Sequence, residues 1–299
     1  MPAARPLRPL PLAALTFACA AGLVVLYLVF VRTHAGQRVD DAALVGRLAS
    51  SRGRQAASDL LTTISAGSVA LVLALLAAQA LVRRRVALAV VAFAVILGAV
   101  ATTEVLKHVV LPRPYLVSSP IPQNTFPSGH TTTAFAVGIA AALAAPPRWR
   151  RLVAAGAFLY GTAIGVATIA AGWHRPSDVA GALLVVTGWA AAVVLVVTLL
   201  DRDAFGRDLA GAEERGGAVR SSWARAADLK GYVLVALGAL AVGWVATVAI
   251  VAGHRAGAIE LTKLNAAFVA SCACIAALAA VLLAVLLAVL REALPTART

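Results

Sequence analysis

The chain has 299 residues, of which 61% are hydrophobic and only 13% charged, with a formal net charge of +13. A soluble domain of this length needs far more polar surface, so the composition points to a polytopic membrane protein. The arginines fall in short segments between apolar runs and form no continuous stripe, which argues against nucleic acid as the partner of a basic chain.

Taken in order, eight apolar runs approach the length of about 20 residues that spans a bilayer. They lie near 11–31, 61–82, 86–106, 131–146, 152–172, 178–200, 231–252 and 264–290. The first follows Arg5 and Arg8 and is expected to be an uncleaved span rather than a signal peptide. Residues 32–60, with Arg38, Asp40, Asp41, Arg47, Arg52 and Arg54 among apolar positions, suggest an amphipathic interfacial helix. The fourth run is short and opens on threonines. Residues 201–230 form the longest charged stretch and read as a solvated cytoplasmic linker.

The expected fold is therefore all-α. It is a polytopic transmembrane helical bundle with a six-span core at 1–200, a linker at 201–230 and a two-span extension at 231–299. Helices are required because backbone groups in hydrocarbon must be satisfied within the segment. The many alanines and glycines permit close helix packing in lipid. Cys19, Cys272 and Cys274 lie in apolar segments and read as small hydrophobes. No cysteine–histidine cluster has zinc-site spacing.

Placing the N-terminus in the cytoplasm puts most of the 26 basic residues on the cytoplasmic side. Under either orientation, the connections after the third and fifth spans emerge on one face. Those two connections carry three polar motifs: Lys107-His-Val-Val-Leu-Pro-Arg113-Pro114, Phe126-Pro-Ser128-Gly129-His130 and His174-Arg-Pro-Ser-Asp178.

Ser128 and Gly129 precede Thr131 and an apolar run, as a loop does when it enters a helix. Ser128 reads either as an ordinary helix cap or as a donor to an anion held at the helix N-terminus. His130 adds a side chain able to transfer protons near neutral pH. Lys107 is either a basic residue reaching out of the membrane or a phosphate ligand. Arg113 offers the bidentate geometry suited to phosphoryl oxygens. His174 and Asp178 share a helix face if the segment is helical. They form either a local pair or a nucleophile oriented by a carboxylate.

The three motifs together resemble the type 2 phosphatidic acid phosphatase superfamily, which includes membrane lipid phosphatases and soluble vanadium haloperoxidases. The Pro-Ser-Gly-His and His-x-x-x-Asp elements match as written, and Lys…Arg-Pro matches in kind. The resemblance covers about residues 1–200. It implies a phosphatase that needs no metal or other cofactor, with His174 attacking phosphorus to form a phosphohistidine and Asp178 holding its ring. His130 then protonates the leaving oxygen, while Lys107, Arg113, Ser128 and Gly129 bind the phosphoryl group.

Two departures stand out. Five residues separate Lys107 from Arg113, where the family usually has six. The Ser-Arg that the family carries upstream of its third-motif histidine is replaced by Ala167 and Thr168, so one phosphate-binding cation is missing. Arg175 is either its substitute or an interfacial anchor. The expected activity is hydrolysis of a polyprenyl or phosphatidic-acid type lipid phosphate or diphosphate. The site would face away from the cytoplasm, with the bilayer and its lipid phosphate as partners. A phosphotransferase using the same intermediate and a catalytically weak lipid-binding protein are the alternatives.

Overall fold

The computed structural model of the chain describes residues 9–46, 51–82, 86–145, 149–200 and 260–293. Among these residues the fold is a bundle of α-helices without strands. Helix α1 (Pro9–Leu26) ends in a π turn, Tyr27–Val31. It is followed by α2 (His34–Gly46), α3 (Ser51–Leu61) and α4 (Ala66–Val82). Helix α5 (Val86–Val105) also ends in a π turn, Leu106–Val110. Then come α6 (Gly129–Ala144), α7 (Arg150–Ala170), α8 (Pro176–Leu200) and α9 (Glu260–Ala293).

Among the described residues, five helices are long and apolar enough to cross a membrane, and six if the bent pair Arg54–Leu61 and Ala66–Gln79 counts as one span. The run expected at 61–82 is thus interrupted. The chain bends by 48° between these helices, where the Thr62 and Thr63 hydroxyls donate to the carbonyls of Asp59 and Leu60. Ser65 Oγ then accepts the Ser68 N–H at 3.1 Å, starting α4. Helix α6 has 16 residues, about 24 Å of rise against the roughly 30 Å hydrocarbon thickness. The run at 231–252 and the linker at 201–230 lie outside the described residues.

The largest core cluster draws buried apolar side chains from α1, α4, α5, α6, α7, α8 and α9. Helix α9 contributes Leu283, Leu286, Leu287 and Leu290 to it, and packs against α2, α7 and α8 as well as α1. Polar ties cross the apolar packing. Thr103 and Thr132 share a hydroxyl–hydroxyl bond of 2.9 Å between α5 and α6. Trp189 Nε1 donates to Thr102 Oγ1 at 2.9 Å, joining α8 to α5.

The segment 32–60 departs from a single interfacial amphipathic helix. It contains two helices, and the buried face of α2 carries Gln37, Asp40 and Asp41 alongside Ala43 and Leu44. Polar side chains this buried need partners inside the protein, and theirs lie at the site below.

Candidate active site

The polar motifs sit where α5 ends and where α6 and α8 begin. Each helix end leaves backbone groups without intrahelical partners, and side chains from the connecting segment satisfy many of them. Asn124 is central to this. Its Nδ2 donates to the carbonyls of both Lys107 and Leu111 at 2.8 Å, and its Oδ1 accepts the Phe126 N–H at 3.2 Å. One side chain therefore ties the first motif to the second.

The Arg113 loop is held from both sides. Tyr27 Oη donates to the Pro112 carbonyl at 2.7 Å, and Gln37 Nε2 donates to the Pro114 carbonyl at 2.8 Å. The guanidinium itself is different. Nη1 and Nη2 of Arg113 are buried and have no hydrogen-bond partner among the described residues. Burial and the neighbouring Arg175 lower the pKa of Arg113 from its usual value, and the nearby Asp178, Asp40 and Asp41 counter this. Two aligned donors held inside the protein without an acceptor fit a planar or tetrahedral oxyanion.

Ser128 is fully buried and caps α6, its Oγ accepting the Thr131 N–H at 3.4 Å. The Ser128 N–H donates to the Asp178 carbonyl at 2.9 Å, fastening the second motif to the third. A Cβ on Gly129 would lie 3.1 Å from Glu104 Oε1 and 3.4 Å from Lys107 Nζ. The missing side chain therefore leaves the Lys107 ammonium close to the α6 N-terminus. Lys107 pairs with Glu104 at 2.9 Å, with its side chain 13% exposed. His130 packs against Trp173, ring centroids 5.3 Å apart, and lies in the fields of His174, Lys107 and Glu104.

The third motif begins with a turn. Gly172 at φ 81° lets the chain reverse after α7. The Trp173 and His174 N–H groups then donate to the Thr168 carbonyl at 2.9 and 3.1 Å. Pro176 opens α8, as its fixed φ favours. Asp178 reaches back to accept the Arg175 N–H at 2.8 Å, as in half of a capping box. The same Oδ2 accepts from Thr125 Oγ1 at 2.6 Å and faces His174 Nδ1 at 3.3 Å. His174 is 8% exposed and Asp178 fully buried. With the carboxylate as acceptor, the proton belongs on Nδ1 and leaves Nε2 with its lone pair.

All seven residues singled out from the sequence thus lie at one end of the bundle, their motifs linked by the bonds above. Arg175 is neither a phosphate ligand in place of the missing cation nor an interfacial anchor. It is fully buried and turned toward α2 and the 119–125 segment, with Nε donating to Asp41 Oδ1 at 3.0 Å. Nor does Thr168 contribute a charge. It is fully buried, and its hydroxyl returns to the Gly165 carbonyl at 2.7 Å.

Sequence reasoning missed Asn124, Thr125, Gln37, Asp40 and Asp41 as parts of the site. The one available signal was the density of polar residues at 37–41 in a chain this apolar. Asp40 accepts from Ser177 through both its N–H, at 3.0 Å, and its hydroxyl. Burial first, and the nearby Asp178 second, push Asp40 up to about 7 against the pull of the Ser177 bonds and Arg113.

Residues 87–202 match the family model described as the PAP2 superfamily. No curated protein and no solved structure matches the chain.

Proposed function

We propose that this chain, whose residues 87–202 match the PAP2 superfamily, a family that includes phosphatases, is an integral-membrane phosphatase acting on a lipid phosphate or diphosphate through a phosphohistidine. The observation that carries this reading is that Nη1 and Nη2 of Arg113, beside the His174–Asp178 pair, are buried with no hydrogen-bond partner among the described residues. An oxyanion supplies the missing acceptors.

In the proposed reaction, Arg113, Lys107, the Ser128 hydroxyl and the Gly129 N–H bind the phosphoryl oxygens and stabilise their charge in the transition state. Nε2 of His174 attacks phosphorus. The bond from phosphorus to the lipid oxygen breaks, and His130 gives that oxygen its proton. The neutral His130 next takes a proton from water, which attacks the phosphohistidine. Inorganic phosphate leaves, and His174 and protonated His130 are restored. Asp178 keeps the imidazole in the productive tautomer throughout. The scheme calls for no metal or other cofactor.

Lipid as the substrate class is supported by the site's place at the helix ends of an apolar bundle. Tyr115 and Trp173 are exposed beside the first and third motifs, and such aromatics favour the membrane–water boundary. A headgroup could reach the site there while its chains stay in the bilayer. The distribution of basic residues favours the cell membrane with the site on its extracytoplasmic face and the N- and C-termini inside.

The test is a panel of phosphatidic acid, a polyprenyl phosphate and a polyprenyl diphosphate, assayed in chelator with wild type and His174→Ala. Phosphate release by the wild type that drops by about 10³ or more in the variant is expected. Release from no lipid, or equal release by His174→Ala, overturns the reading.

A further inference from the structure

Helix α2 lies outside the segment that matches the family, yet its buried polar face is spent on the catalytic end of the bundle. Asp41 Oδ1 accepts from Arg175 Nε at 3.0 Å and from Ser119 Oγ at 2.8 Å. Arg175 Nη2 donates to Ser119 Oγ at 2.6 Å and to the Ile121 carbonyl, while Nη1 donates to Thr125 Oγ1 at 3.1 Å. The Thr125 hydroxyl in turn donates a hydrogen bond to Asp178 Oδ2 at 2.6 Å, the oxygen that faces His174.

Direction matters in this chain of bonds. Arg175 is fully buried beside two carboxylates, Asp41 and Asp178. A buried cation without its own counter-ion would turn to the nearest carboxylate and compete with His174 for it. Asp41 and Ser119 hold the guanidinium on the α2 side, where the Thr125 hydroxyl stands between it and Asp178. Thr125, accepting from Arg175, is left with one proton to give, and it gives it to Asp178.

We propose that Asp41 is a positioning residue for the His174 nucleophile, acting through Arg175 and Thr125 on the Asp178 carboxylate. The proposal rests on the reading of His174 as the nucleophile.

The experiment uses the full chain in detergent, with 15N-labelled histidine, as wild type, Asp41→Asn and Thr125→Val. The His174 ring signals are assigned by their loss in His174→Ala. Two quantities are read: kcat and KM for p-nitrophenyl phosphate, and the tautomer of the His174 ring. Asp41→Asn is expected to lower kcat about tenfold or more, by analogy with the loss of the partner that orients a metal-ligating imidazole. KM should stay within about twofold. The ring should change from the Nδ1–H tautomer to a mixture, and Thr125→Val should do the same.

Should Asp41→Asn fail to fold, Asp41→Glu carries the same two readouts. Folded variants that keep the wild-type tautomer overturn the proposal, whether or not kcat falls, because a general loss of stability leaves the ring's tautomer alone. If the wild type releases phosphate from no ester, the phosphatase reading falls. The tautomer comparison then still decides the role of Asp41.

Discussion

Asn124 Nδ2 is bonded to the carbonyl of Lys107 at 2.8 Å, and it bonds the Leu111 carbonyl at the same distance. The side chain closes the π turn that ends α5 and sets the start of the loop carrying Arg113. It also accepts the Phe126 N–H, so one side chain joins the first two motifs.

Asn124→Asp keeps the shape of that side chain but removes both donors and aims a carboxylate at two carbonyls. Leaving a partly buried carbonyl unsatisfied costs about 1–3 kcal/mol. The variant is expected to melt below Asn124→Ala, in which water can reach the carbonyls, and to lose at least about tenfold in kcat/KM. Thermal melts and steady-state kinetics on the two variants check this ordering.

Arg113 should show opposite effects on function and stability. Removing a donor that meets developing negative charge costs about 10²–10³ in kcat, so Arg113→Met should be nearly inactive and bind vanadate weakly. Its melting temperature should equal or exceed the wild type's, because a guanidinium whose buried Nη atoms have no hydrogen-bond partner among the described residues has been replaced by an apolar chain. Arg113→Lys should recover only part of the activity, since an ammonium lacks the paired donors of the guanidinium. A destabilised Arg113→Met would place a protein acceptor on this side chain.

Asp40 should make stability depend on pH. Its carboxyl is pushed up to about 7 in the folded protein, whereas an unfolded chain releases that proton near pH 3.9, or about 4. Between these values the folded state holds a proton that the unfolded state has lost, so this group's stabilisation is complete below the window and falls as pH rises through it. Asp40→Asn, which can still bond Ser177, should melt with a flatter pH profile and gain on the wild type toward pH 8. Melting temperatures from pH 4.5 to 8 measure this, and parallel profiles would contradict it.

The helices and the motifs were legible because both are local in sequence. Long apolar runs gave α5, α7, α8 and α9 to within a few residues. Ser128 capping α6 and Asp178 reaching back over the first turn of α8 are contacts between residues three or four apart. The bend at residues 62–65 was hidden, since a run of hydrophobic residues does not record where hydroxyls take over backbone acceptors. The partners of α2's polar face were hidden for a different reason. Asp41 meets Arg175 across 134 positions, and a polar face in a membrane protein reads as facing water when its partners are that distant. Arg175, which the sequence left as either a phosphate ligand or an interfacial anchor, is neither for the same reason: its partner Asp41 is that distant in sequence.

The central claim is that His174 becomes covalently phosphorylated. Rapid mixing of the full chain with a 32P-labelled lipid phosphate, followed by alkaline quench and peptide mapping, tests it most directly. The account predicts transient, acid-labile and base-stable label on the peptide containing His174. The label should vanish in His174→Ala and be unaffected by chelator. Phosphate release by wild type with no label at any time, or label on a different residue, would contradict it.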